Sequence, residues 1–99
     1  GLIGLAARAR NIAFGADSVE TEIKKRKINL IIVANDSSER TKDKFKKLSE
    51  IHGIPFIITE NIEALSKAIG KENKAIIGIK DLNLSNEILK INNGGEVIG

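Results

Sequence analysis

Three aliphatic runs constrain the fold of this chain more than any other feature. They are residues 28–34 (INLIIVA), 54–59 (IPFIIT) and 75–80 (AIIGIK). Each is continuous rather than alternating and rich in β-branched residues. Runs of that kind suit strands buried on both faces, in a parallel or mixed sheet with helices above and below. Pro55 falls at the start of its run, where a ladder can spare a donor. Between the runs the apolar residues change to helical spacing, so the chain reads as strands alternating with helices, an α/β domain.

The helical segments carry their own punctuation. Leu5, Ala6, Ala9, Ile12 and Ala13 recur at three-to-four spacing and predict a first helix over residues 4–13, with a very short strand over 12–14 as the alternative. Asp17 and Glu20 have the spacing of a capping box, predicting a second helix that starts near Asp17 with Val19 and Ile23 inward. Lys24, Lys25, Arg26 and Lys27 complement the negative end of its dipole. Asp36 and Glu39 repeat the capping signal for a third helix, lined by Phe45, Leu48 and Ile51 or His52 and ended by Gly53. Asn61 caps a fourth with Ile62, Leu65, Ala68 and Ile69 inward, and Gly70 stops it. Residues 71–74 read as a polar loop. Leu82, Leu84, Ile88, Leu89 and Ile91 predict a last helix. The expectation is one domain over residues 1–92 and a flexible tail over 93–99.

Composition excludes several chemistries. Cysteine is absent from the 99 residues, so there is no disulfide, thiolate nucleophile or zinc-thiolate site. His52 is the only histidine, and beside Gly53 it fits a helix end better than a catalytic base. No nucleophile–histidine–acid set and no metal-ligand spacing can be assembled. Gly1 and Gly4 form Gly-x-x-Gly, but no phosphate-loop or dinucleotide fingerprint follows a strand. Asp36 ends a buried strand, where a phosphoacceptor would sit, yet the acidic pair such a site needs is missing and Lys80 alone is insufficient. Asp36 is therefore read as a helix cap. The chain is expected to be no enzyme and to need no cofactor. No apolar run reaches the ~20 residues of a membrane span, and the first residues lack the order of a signal peptide. A soluble, cytoplasmic monomer is the expectation.

Binding is better supported. The net charge is +3, from 16 cations against 13 anions. Residues 15–33 join a glycine turn, a short amphipathic helix, the basic tetrad and a buried strand. A surface made of the turn at Gly15, the helix start, Lys25 and the loop at 70–74 can meet phosphates and base edges together. With three phenylalanines and no Trp or Tyr, stacking platforms for single strands are missing.

The order of these pieces resembles the kink-turn-binding ribosomal protein family, the L-seven-Ae / L-thirty-e superfamily, and within it the small bacterial YlxQ-type branch. The matching pieces are Gly4-Leu5-Ala6-Ala7-Arg8-Ala9-Arg10, Gly15 with Val19 and Ile23, and the strand ending in Ala34-Asn35-Asp36. They continue through Ile54-Pro55-Phe56, Leu65-Ser66-Lys67-Ala68-Ile69-Gly70 and the last strand. The resemblance implies a three-layer α/β/α sandwich around a four-stranded mixed sheet. It implies a structured RNA as partner, of kink-turn or ribosomal type, with ribosomal proteins as further partners. It also implies a site at Gly15, Ala16, Asp17, Ser18, Thr21, Lys25, Lys71, Glu72 and Asn73. The family's Asn-Glu pair falls on Asp17 and Ser18, its lysine on Thr21, and the Gly of its Leu-Gly on Ser66. The loop Lys71-Glu72-Asn73 is polar where strong binders are apolar. A protein-interaction module with the same fold is the alternative function.

Overall fold

The computed structural model describes residues 2–91. Nine elements follow in chain order: α1 (Leu2–Arg8), β1 (Ile12–Phe14), α2 (Ala16–Lys24), β2 (Leu30–Val33), α3 (Glu39–His52), β3 (Phe56–Ile58), α4 (Ile62–Ala68), β4 (Ile76–Ile79) and α5 (Leu82–Leu89). The strands form one mixed sheet in the order β1-β4-β2-β3. β4 runs antiparallel to both β1 and β2, while β2 and β3 are parallel. The parallel pair needs a crossover, and α3 supplies it.

The period-two geometry of β2 and β4 sorts the aliphatic runs into two cores. Leu30, Ile32, Ile77 and Ile79 point to one face, where they meet Ala6 of α1, Leu65 of α4 and Ile88 of α5. Ile31, Val33 and Ile76 point to the other, against Val19 and Ile23 of α2 and Phe45 of α3. All residues of both strands are buried, which is why the runs are continuous rather than alternating. Gly78 serves the second core: a Cβ there would stand 2.8 Å from Cδ1 of Ile28. The three-layer sandwich expected from the sequence is the observed fold.

Several local expectations need correction. The first helix stops at Arg8, and residues 12–14 are the short strand. Asp17 is not a cap: α2 begins after Gly15, and no side chain caps it. α3 is capped by Ser38, whose hydroxyl accepts from Thr41 N at 3.1 Å. Asp36 reaches across to α4 instead and accepts from Ile62 N at 2.8 Å. It acts beside the N-cap Asn61, which was expected. The buried face of α3 ends at Ser49, and Ile51 and His52 are exposed. Ala68 of α4 and Leu82 of α5 also face outward. Gly53 closes α3 in the left-handed conformation, as expected. The expected tail over 93–99 lies outside the described residues.

Burial separates two isoleucines that sequence alone places inward. Ile32 is 0 % exposed and Ile51 is 74 % exposed. Ile32→Ala is expected to lower unfolding stability by about 2–5 kcal/mol. Ile51→Ala is expected to change it by less than about 0.5 kcal/mol. Denaturant titration at unchanged slope measures both, and equal losses would contradict the assigned faces.

Candidate nucleic-acid interface

One end of the sheet gathers the start of α2 and the loop between α4 and β4. Phe14 lies opposite Ile77, and one residue further Gly15 N donates to Ile76 O at 2.9 Å. That bond places the glycine turn beside the beginning of β4. Gly15 adopts φ +88° and ψ 149°, a conformation an L side chain rarely takes, although nothing lies within 4 Å of where its Cβ would be. The glycine is needed for the turn angle, not for space. Beyond it, Ala16, Asp17, Ser18 and Thr21 are exposed, while Val19 and Ile23 hold the helix to the core.

The loop is shaped by Gly70 at φ +70°, by Asn73 at φ +56° and by Ser66. The Ser66 hydroxyl accepts from Lys74 N at 2.7 Å and donates to Lys74 O at 3.2 Å, which folds the loop back against α4. Lys71 Nζ stands 5.0 Å and Lys74 Nζ 5.6 Å from the centroid of the Phe14 ring, within cation–π range. Both lysines are thereby drawn toward the glycine turn. Lys71, Glu72 and Asn73 are exposed, and with Asp36, Ser66 and Lys67 they border an open cleft of about 690 Å³.

Eight of the nine residues read from the sequence therefore share this end: Gly15, Ala16, Asp17, Ser18 and Thr21 on α2, and Lys71, Glu72 and Asn73 on the loop. Lys25 does not join them. It is the C-cap of α2, roughly 15 Å along the helix from Gly15, with Nζ 3.7 Å from the Glu22 carboxylate. Three residues at this end were not singled out: Phe14, Lys44 and Ser66; Lys74 was read only as part of the loop at 70–74. Ser66 carried a signal, since it replaces a glycine of the resembling pattern. Lys44 carried none, because its role depends on a contact between helices.

That contact alters the charge of the helix start. Glu20 binds Lys44 of α3 at 2.8 Å and Lys24 at 3.3 Å. Lys44 above all, then Lys24, holds the Glu20 carboxyl below its ordinary value of 4.5. The same bond raises the Lys44 ammonium above its ordinary 10.5, and Asp17 adds to the rise. At the far end, Lys80 at 3.0 Å is the main cause that lowers Glu22. Among the described residues, no group of His, Asp or Glu could hold a metal ion, and no helix is long and apolar enough to cross a membrane.

A small α/β/α sandwich with a glycine-opened helix beside a lysine-bearing loop defines a class of protein. The chain belongs to the ribosomal protein L7Ae/L30e/S12e/Gadd45 family, whose model matches residues 1–89. It is 29 % identical over 90 residues to the RNA-binding protein YlxQ of Bacillus subtilis (strain 168), spanning 91 % of this chain and 90 % of that protein. It is 36 % identical over 80 residues to the RNA-binding protein YlxQ of Enterococcus faecium, spanning 81 % and 77 %. Among solved structures, it resembles a Bacillus halodurans protein of unknown function with a TM-score of 0.88 and 32 % identity, 91 % of each chain being covered. The fold is shared with the 15.5 kDa RNA binding protein of Giardia lamblia at a TM-score of 0.78 and 22 % identity, over 91 % of this chain and 80 % of that one.

The Glu20–Lys44 pair gives a pH signature. A lowered carboxyl stabilises fully above its ordinary value, and that stabilisation is lost as pH falls through the folded value. A raised ammonium stabilises fully below its ordinary value and loses this only as pH rises past the folded one. The pair therefore contributes at neutral pH and fades below about pH 4.5. Because the pair is solvent-screened, Glu20→Gln is expected to destabilise only slightly at pH 7 and to show a slightly shallower loss on acidification. Thermal melts of both proteins from pH 7 to pH 3 check this, and parallel curves would contradict it.

Proposed function

We propose that this protein is a non-catalytic, cytoplasmic, monomeric RNA-binding protein associated with the ribosome or translation. Its ligand is structured RNA of kink-turn or ribosomal type, taken at the Gly15 end of the sheet. One observation carries the reading. The Gly15 N–Ile76 O bond joins a helix start free of side-chain caps to a loop whose Lys71 and Lys74 have no carboxylate partner among the described residues. The names of the YlxQ relatives support the same ligand class.

In this reading Lys71, Lys74 and Lys67 meet phosphates, the term that dominates affinity and makes it salt-dependent. Asp17 accepts from a guanine amino group, Ser18 donates or accepts, and Gly15 and Ala16 let the RNA approach the backbone. Asn73 and Glu72 line the cleft edge. Glu20 is no obstacle, since two ammonium groups hold it. Thr21 is the weak point, because a neutral side chain replaces the family's lysine. A charge-assisted hydrogen bond contributes about 1.5–3 kcal/mol, so its loss costs about one to two decades of affinity. The Asp17, Ser18 and Thr21 substitutions favour a second reading, a protein-interaction module that kept the fold and lost the RNA grip.

Titration of a kink-turn hairpin RNA at several salt concentrations separates the two. The RNA reading expects binding that weakens steeply with salt, is lost in Lys71→Glu/Lys74→Glu, and tightens by about one to two decades in Thr21→Lys. Absence of salt-dependent binding by the wild type to this hairpin or to ribosomal RNA at micromolar concentration would overturn it.

A further inference from the structure

Four helices of this fold end in a left-handed residue, and two of them do so at a cost. In a Schellman motif the residue after the cap turns left-handed, and its amide and the next one reach back to two free carbonyls of the last turn. Glycine is the usual residue there, because an L side chain meets the following carbonyl oxygen. α3 and α4 follow the rule with Gly53 at φ +64° and Gly70 at φ +70°. α1 and α2 do not. Arg10 sits at φ 60° after α1, with Arg10 N donating to Ala7 O at 3.0 Å and Asn11 N to Ala6 O at 2.9 Å. Arg26 sits at φ 60° after α2, with Arg26 N donating to Ile23 O at 2.9 Å and Lys27 N to Glu22 O at 3.0 Å. A bulky residue in this region is an outlier that points to a reason beyond the turn itself.

Both arginines lie at the end of the sheet opposite Gly15, and hydrogen bonds tie their segments together. Lys80 N donates to Asn11 O at 2.7 Å, and the Asn29 side chain donates to Lys80 O at 2.6 Å. Arg10, Lys80, Lys27 and Arg26 thus lie across the ends of three neighbouring strands. Lys25 and Lys80 are fixed on the two oxygens of Glu22 at 3.7 and 3.0 Å. Arg10, Arg26 and Lys27 are exposed and have no carboxylate partner among the described residues. The helix dipole accounts for Lys24 and Lys25 in the last turn. It does not account for an arginine in a left-handed position, twice, beside a lysine from β4.

We infer that this end of the sheet is a second RNA contact, a cradle of three unpartnered cations (Arg10, Arg26 and Lys27) flanked by the Glu22-bound Lys25 and Lys80, that takes the phosphate backbone of a stem flanking the element held at the Gly15 end. The inference rests on the proposed RNA-binding function and extends it. A cleft of about 370 Å³ lined by Arg26, Asn29 and His52 opens beside it, but the cations themselves offer only point charges, so their contact is with backbone and carries no sequence preference. The α2 helix separates the two ends by about 14 Å, so only an RNA with stems long enough reaches both.

Replacing both arginines by glycine removes two cations and gives each helix the residue its turn favours. Arg10→Gly/Arg26→Gly is therefore expected to melt no lower than the wild type. Two kink-turn hairpins serve as probes, one with minimal stems and one with each stem extended by a helical turn. The wild type is expected to bind the extended hairpin more tightly than the minimal one, and the double variant to lose most of that preference. The slope of log K against log salt on the extended hairpin is expected to become shallower by about two, near 0.9 per phosphate released. Unchanged affinity and slope in the double variant on the extended hairpin overturn the second contact while leaving the proposed function intact. A wild type that binds neither hairpin nor ribosomal RNA overturns both.

Discussion

The antiparallel pairing of β1 with β4 decides where the groups of the candidate interface can stand. β1 has three residues, too few to hold an edge by burial alone, and its ladder is extended at both ends. Gly15 N reaches Ile76 O beyond Phe14, and Lys80 N reaches Asn11 O before Ile12. A shift of one residue would turn Ala13 out of its core and move Gly15 off Ile76. With the register fixed, the first turn of α2 and the α4–β4 loop are brought to the same end of the sheet. The two Arg-ended turns are brought to the other end. Both charged surfaces are consequences of one short strand.

Charge is arranged by pairs between elements rather than by runs in the sequence. The tetrad at residues 24–27 has the densest positive charge in the sequence, yet Lys24 and Lys25 are each bound to a carboxylate of their own helix. The anion that would repel RNA at the helix start, Glu20, is held by Lys44 from α3. Exposed pairs of this kind add little to stability. Their effect is on the field: the Glu20 charge near the helix start is compensated while Asp17 stays unpaired, and among the described residues the cations without a carboxylate partner include those on the loop and at the Arg-ended turns.

The sandwich was legible in the sequence because burial on both faces forces continuous aliphatic runs, as in β2 and β4; β3, expected to be buried likewise, is an edge strand with Ile58 exposed. Gly53, Asn61 and Gly70 were legible because their turn chemistry is local. The caps at Asp17 and Asp36 were misread for one reason. A carboxylate three residues before a glutamate fits a box, but spacing cannot show that Gly15 opens α2 unaided or that Asp36 serves a helix 26 residues away. Ile51 and His52 continued the apolar spacing of α3 past the edge of the sheet it covers. The family resemblance named residues of the α2 start and the loop, and the fold brings these two segments to one end of the sheet. The clamp by Ser66, the ring of Phe14 under two lysines and the pairing of Lys44 were not legible, since each joins segments distant in sequence.

In the proposed function RNA is held where the α2 start meets the α4–β4 loop. Photo-crosslinking the protein to RNA in cells, followed by mapping of the crosslinked peptides and sequencing of the RNA, tests it most directly. The account predicts crosslinks on the peptides that carry Gly15 to Thr21 and Lys71 to Lys74, to a structured RNA. Crosslinks confined to the β3 edge or to α5, or none at all, would contradict it.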